Sequence, residues 1–273
     1  ALSRAIAAAL FESKLPLRAA GISCAGRVNL VTRRVTASNL RWDSVPFAEH
    51  METALGCPVA IDNDIAGALM GEWKLGACAG EKYVLYMALG TGIGGGIILN
   101  GKVYMGSHSA AGEVSNLVTE LGSMEGDDFR FDVIGKVAES PVWAGKASAS
   151  GLIAAYAAEK QLPAHGPQPT GEEIFAAYAA GEPEACRALK KFARRVALGI
   201  IGLQSVLDVE RVAIGGGISA ADALLPAIQT ELDDLFARFP VFPMLEPELL
   251  RCRYGNDANM IGALKLFFER NPA

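Results

Sequence analysis

Five short stretches of the sequence carry residue types that could do chemistry. In Val59-Ala60-Ile61-Asp62-Asn63-Asp64 an apolar strand runs into three polar residues, and small residues then open a helix. Asp and Asn are favoured helix caps, and Asp62 suits that role. Asn63 and Asp64 suit a binding site as well, because an amide that donates and accepts stands beside a carboxylate able to take a proton. The second stretch is Ala88-Leu89-Gly90-Thr91-Gly92-Ile93-Gly94-Gly95-Gly96, between the apolar runs Tyr83–Met87 and Ile97–Leu99. Its glycines read as a hairpin turn. Packed glycines let a backbone approach a ligand and take positive φ, so that successive N–H groups converge on a phosphate, and Thr91 adds a hydroxyl. A dinucleotide fingerprint needs a helix straight after the glycines, and the strand that follows here disfavours one. A plain glycine-rich hairpin is the other reading. The remaining three are Gly112-Glu113 within Ala110–Asn116, Gly215-Gly216-Gly217 after a strand and before a capped helix, and Tyr254–Ala263 near the end.

The elements that must hold these residues alternate between strand and helix. Patterning predicts a strand at 19–23 with a turn at Ala25-Gly26, and a helix at 45–55 opened by Ser44 with Pro46 in its first turn. A strand at 58–61, a helix at 64–75 and the hairpin at 82–105 follow. The segment 120–136, which alternates charge and glycine, reads as irregular. Helices are expected at 148–160, 171–180 and 184–207, the middle one opened by a capping box of Thr170 with Glu173 and ended by Gly181. A strand at 211–214, a helix at 220–238, a strand at 249–253 and a helix at 257–269 close the chain, and Ser3 to Ser13 reads as an amphipathic helix.

Composition sets the class. The 273 residues can bury a sizeable core and form two domains. The hydrophobic fraction is 51%, yet no apolar run is long enough to span a bilayer. Ala5 to Phe11 is too short for a signal peptide, and Glu12-Ser13-Lys14 follows it. Five scattered cysteines suit reduced thiols in a cytoplasm. The net charge of −5 argues against nucleic acid as a partner, and Lys190-Lys191-Phe192-Ala193-Arg194-Arg195 reads as the solvated face of a helix.

In this order and spacing the five stretches resemble the ROK family of sugar kinases and sugar-responsive repressors, over nearly the whole chain. Gly21–Val28 is similar to the family's strand and turn before the sugar pocket, and Asn39-Leu40-Arg41-Trp42 to the sugar-side loop after it. The resemblance implies an α/β, actin-like (ribonuclease-H-like) ATPase fold of two domains: residues 1–75 joined by 257–273, and residues 76–256. It makes Asp64 the catalytic base and Asn63, Glu113 and Asn39 the sugar-binding residues. Gly90, Thr91, Gly92 and Gly94 would hold phosphates, and Gly215, Gly216 and Gly217 would receive adenosine. ATP and Mg2+ are the implied cofactors.

Two departures from the family pattern shape the expectation. Asn116 stands where most members have a His, and no cysteine lies between Cys78 and Cys186, where a zinc loop would be. No structural zinc is therefore expected, as in the branch that contains β-glucoside kinases. Lys146 falls near the position of a second sugar-binding Glu. Members also open with an Asp-x-Gly-Gly-Thr loop, whereas this sequence starts at Ala1, so the fold is expected to be incomplete at its N-terminus. The implied function is ATP-dependent phosphorylation of a sugar hydroxyl, most simply the 6-hydroxyl of a hexose or glucoside, in a cytoplasmic homodimer. A sugar-sensing repressor and an inactive sugar-binding fragment stay open beside it.

Overall fold

A computed structural model describes residues 16–37, 40–119, 141–163, 166–238 and 244–270. Along the chain come strands β1 (Ala20–Cys24), β2 (Arg27–Asn29), β3 (Arg34–Ala37) and β4 (Trp42–Val45), and helix α1 (Phe47–Leu55). Then follow β5 (Val59–Asn63), α2 (Asp64–Leu75), β6 (Val84–Leu89), β7 (Ile93–Leu99) and β8 (Lys102–Val103). The helices α3 (Ala144–Ala147), α4 (Ala149–Glu159), α5 (Gly171–Ala179) and α6 (Pro183–Leu207) come next. The order ends with β9 (Arg211–Gly215), α7 (Leu224–Arg238), β10 (Glu248–Arg251) and α8 (Ala258–Arg270). The helix expected at Ser3 to Ser13 and the irregular segment at 120–136 lie outside the described residues. No helix among the described residues is long and apolar enough to cross a membrane.

The described residues form two compact units, one drawn from Ala1–Gly80, Met105–Ala111 and Asn256–Ala273, the other from Glu81–Tyr104 and Gly112–Gly255. In the first, β1 and β5 pair in parallel, with Cys24 opposite Asn63. Strands β2, β3 and β4 make a separate antiparallel sheet. Val28, Val35, Ala48, Met51, Val59 and Ile61 form the core. Helices α2 and α8 pack at the distance of bare backbones. A Cβ on Gly262 would collide with the Gly67 carbonyl oxygen, and one on Gly71 with that of Ala258. On β1, Gly21 meets the Ala263 carbonyl in the same way. The small residues of the Tyr254–Ala263 stretch thus bring α8 against α2 and β1.

The second unit is built on a five-stranded sheet in the order β10-β9-β6-β7-β8. Strand β9 runs parallel to both β6 and β10, while β7 returns antiparallel to β6. Helix α6 supplies much of the core: Leu189, Phe192, Val196 and Ile200 recur at helical spacing and are fully buried. Trp143 is buried against it, donating its indole N–H to the Arg195 carbonyl at 2.8 Å, and its ring occupies the space where Gly199 would need a side chain. The capping box of α5 forms as read: Glu173 N donates to the Thr170 hydroxyl at 3.2 Å, and Thr170 N to the Glu173 carboxylate at 2.8 Å.

Two elements start later than their patterning suggests. Strand β4 runs to Val45 and Pro46 takes the N-cap position, so α1 begins at Phe47. A 3-10 turn at Gly217–Ala220 occupies the expected start of α7.

Candidate active site

In the first unit the strand-to-helix junction at Asn63 is the chemically dense point. The helix cap is Asn63 rather than Asp62. Its side-chain oxygen accepts from Ile65 N at 2.8 Å and Ala66 N at 3.3 Å, two of the donors that a helix start leaves unpaired. Its amide group donates to the Gly26 carbonyl at 2.7 Å, which ties the junction to the turn after β1. Asp62 is buried, with Oδ1 accepting from Asn63 N at 2.8 Å, so it does not face a cleft as its type alone would allow. Asp64 is half-buried and is the first residue of α2. Its Oδ1 accepts from Ile65 N at 3.0 Å, and among the described residues Oδ2 takes no hydrogen bond. Cys24 lies beside these carboxylates, its thiol donating to the Asp62 carbonyl at 3.6 Å. Burial, then the charges of Asp64 and Asp62, push the Cys24 thiol up to about 11. Asn39 lies outside the described residues.

In the second unit β6 and β7 close at Leu89 opposite Ile93, with Gly90, Thr91 and Gly92 between them. Gly90 N donates to the Gly92 carbonyl at 3.0 Å, and the Gly90 carbonyl accepts from Ala149 N, the first residue of α4, at 2.8 Å. A positive φ is not what these glycines supply. Gly90, Gly92 and Gly94 are all absent from the left-handed region, because the turn closes without it. Their use is spatial: a Cβ on Gly90 or Gly92 would meet no atom within 4 Å. Gly95 differs, since a side chain there would strike the Gly112 carbonyl. Gly112, at φ +91°, faces it with only 2.7 Å from its own Cβ position to the Gly95 oxygen. The glycines late in β7 therefore let the Gly112-Glu113 turn lie on the strand.

That turn presents Glu113 to solvent. It precedes the 3-10 turn Val114–Asn116, and its carboxylate makes no capping hydrogen bond. Asn116 ends the turn and is exposed, and Lys146 stands in the last turn of α3.

The pairing of Ala88 with Gly215 brings together two glycine groups that are far apart in sequence. A Cβ on Gly216, at φ +86°, would come within 2.5 Å of the Leu89 backbone, so Gly216 is pressed against the end of β6. Gly215 packs beneath Tyr86 and Cys252, whereas Gly217 opens onto empty space. Beside Gly217 is a cavity of about 640 Å³, lined by Ile218, Ala220 and Ala221 and, from the start of α5, by Thr170, Glu172 and Phe175. In the sequence Thr170 is accounted for by capping alone, and the α5 wall of the cavity is a finding of the structure. Gly171, directly after the cap, fits this wall closely, since a Cβ there would come 3.3 Å from Ile218. Among the described residues no three His, Cys, Asp or Glu side chains gather as they would around a metal ion.

Comparison with known proteins finds relatives along nearly the whole chain. The glucokinase of Streptomyces coelicolor is 30% identical over 272 residues, an alignment covering 93% of this chain and 81% of that protein. The bifunctional enzyme NanE/NanK of Brucella melitensis is 29% identical over 221 residues, 81% of this chain, and the match spans 37% of that enzyme's length. A ROK family glucokinase from Streptomyces griseus, solved with glucose and AMPPNP, is 26% identical with a TM-score of 0.78. That likeness covers 97% of this chain and 86% of the other, and the fold is the actin-like ATPase fold of these kinases. The ROK family model itself matches residues 1–270, nearly the whole length, and the chain belongs to the ROK family.

Proposed function

We propose that the protein is an ATP-dependent sugar kinase that phosphorylates the 6-hydroxyl of a hexose or glucoside. The observation that carries this reading is the open backbone at Gly90, Gly92 and Gly217, where no atom of the described residues fills the side-chain space. These glycines border the C-terminal ends of the parallel strands β6 and β9, the end of an α/β sheet at which ligands bind. The loop of Gly90, Thr91, Gly92 and Gly94 holds the phosphates through the Gly92 N–H and the Thr91 hydroxyl, the Gly90 N–H being engaged by the Gly92 carbonyl. The cavity next to Gly215–Gly217 receives the adenosine, and Phe175 offers it an aromatic face. The relatives named as glucokinases support a sugar as the acceptor.

Asp64 is the base in this reading. Its Oδ1 is held by the Ile65 N–H, which fixes the carboxylate, and Oδ2 accepts the proton of the sugar hydroxyl. The sugar oxygen bonds to the γ-phosphorus as the bond to the bridging oxygen breaks and ADP leaves. Asn63 has its oxygen committed to the α2 N-terminus and keeps one amide hydrogen for a sugar hydroxyl. The Glu113 carboxylate accepts from further hydroxyls, and Asn39 assists. Magnesium, when bound, neutralises charge on the transferring phosphates, held chiefly by nucleotide oxygens and water. No structural zinc takes part. Five free cysteines agree with a reducing cytoplasm, and the reading extends to a homodimer, which native mass measurement checks.

Asp64→Asn tests the assignment. Asparagine keeps an oxygen for the Ile65 N–H, so the melting temperature should hold while turnover falls at least ~10²-fold. Turnover within a few-fold of wild type, with glucose and ATP both still bound, would remove Asp64 from the role.

A further inference from the structure

The cationic run on α6 has no part in the chemistry above, yet it is more than a solvated face. Phe192 and Ala193 within it are buried. Arg187, Lys190, Lys191 and Arg194, with Thr230, Glu231, Asp234 and Arg238 of α7, line a groove of about 580 Å³. Five cations meet two carboxylates in the lining and two more, Glu159 and Glu184, beside it, in a protein whose net charge is −5. The carboxylates in and beside the groove are already engaged. Glu159 accepts from Arg187 at 2.6 Å and from Lys191. Asp234 accepts from Arg194 at 2.6 Å and Arg238 at 2.9 Å, and Glu231 from Arg194 at 3.2 Å. These partners hold the carboxyls of Glu159 and Asp234 below the usual range, so both stay anionic and paired.

Donors are left over. Arg194 reaches both acids through Nη1 alone, and Arg238 reaches Asp234 through Nε alone. Lys190 makes no ion pair among the described residues. A guanidinium carries five donors in a fork that matches phosphate oxygens, and an ammonium adds a compact point charge. We propose that the α6–α7 groove binds a small phosphate-bearing anion. Its volume is that of a small-molecule pocket. Glu231 and Asp234 along the α7 side oppose a long polyanion such as nucleic acid, which would have to pass over them.

The proposal is independent of the kinase reading, because it shares no residue with the sugar or nucleotide assignments. Calorimetric titration of the protein with inorganic phosphate, and separately with a hexose 6-phosphate, tests it. Lys190→Ala breaks no ion pair among the described residues and should weaken binding several-fold. The double variant Lys190→Ala/Arg238→Gln changes two exposed positions, should melt like wild type, and should lose affinity roughly tenfold or more. A loss in the double variant that is equal for both probes supports a site for the phosphate group alone, and a larger loss for the hexose phosphate supports a phosphorylated sugar in the groove. Absence of binding to wild type, or equal binding by wild type and double variant, overturns the proposal. So does retention of duplex DNA that the double variant abolishes while neither phosphate probe binds.

Discussion

The glycines where α2 crosses α8 and the glycines at the tip of the β6–β7 hairpin look alike in sequence and do opposite things. At the crossing, a Cβ on Gly71 or Gly262 collides with neighbouring backbone, and one on Gly67 would sit tightly, 3.0 Å from the Asn259 oxygen. At the tip, a Cβ on Gly90 or Gly92 would meet nothing within 4 Å among the described residues, and one on Gly217 is equally free. The polar groups divide the same way. The side-chain oxygen of Asn63 is consumed by the α2 N-terminus, while the Glu113 carboxylate makes no cap. A residue that packing already explains gives no independent argument for a ligand. One that packing leaves unexplained does. By that measure only part of the Gly90–Gly96 run points to phosphate, because Gly95 is required by the turn at Gly112.

The largest effect that this comparison predicts is at Gly262. Gly262→Val forces side-chain atoms into the Gly67 carbonyl, and overpacking of this kind should cost about 3 kcal/mol or more in urea unfolding. A variant of wild-type stability would mean that α8 can shift, and that the crossing does not need its glycines. Next is Glu113→Gln, which keeps shape and removes charge. Charge-assisted hydrogen bonds contribute ~1.5–3 kcal/mol each, so calorimetry should show sugar affinity falling roughly tenfold or more with nucleotide affinity unchanged. A drop in melting temperature with unchanged sugar binding would instead make Glu113 a structural part of its turn. Smaller still is Gly92→Ala, which meets no protein atom and no positive φ. Stability should stay within ~0.5 kcal/mol of wild type while the affinity for ATP weakens. Loss of stability comparable to Gly262→Val would erase the distinction between the two glycine sets.

How far sequence led depends on where the information lies. Helices with a cap and a long apolar period could be read almost to the residue: α2 begins at Asp64, and α5 at Gly171 behind its Thr170–Glu173 box. The sheet of β2, β3 and β4 could not. Its strands are three or four residues long, and only Val28, Val35 and Ala37 are buried, too few positions for a period of two to emerge. Choosing Asn63 over Asp62 as the cap needed the β1–β5 register, since Gly26 supplies the acceptor that holds the Asn63 amide. The α5 wall of the cavity was hidden for a similar reason. Its residues satisfy a local rule, helix capping, and only tertiary packing shows that they also face Gly217.

The smallest predicted effect probes whether the first region is as closely built around Asp64 as its hydrogen bonds suggest. Cys24 stands opposite Asn63, and burial together with the Asp64 and Asp62 charges lifts its thiol from 9.0 to about 11. The folded state thus keeps a proton that the unfolded chain releases near pH 9.0, so this thiol's contribution to stability is present below that pH and is lost as pH rises toward 11. At pH 8 the folded protein carries little of the thiolate, the species that iodoacetamide attacks. Alkylation of Cys24, followed by mass spectrometry of its peptide, should be slow at pH 8 and accelerate steeply up to pH 11. Asp64→Asn removes one of the two charges that raise the thiol, so Cys24 should react a few-fold faster at pH 8 in that variant. Cys186, which lies on α6 in the other unit, serves as the internal control and should react at its wild-type rate. An unchanged Cys24 rate would show that the Asp64 carboxylate does not face the thiol. The half of the site described around Asn63 would then need redrawing, whatever the turnover of Asp64→Asn proved to be.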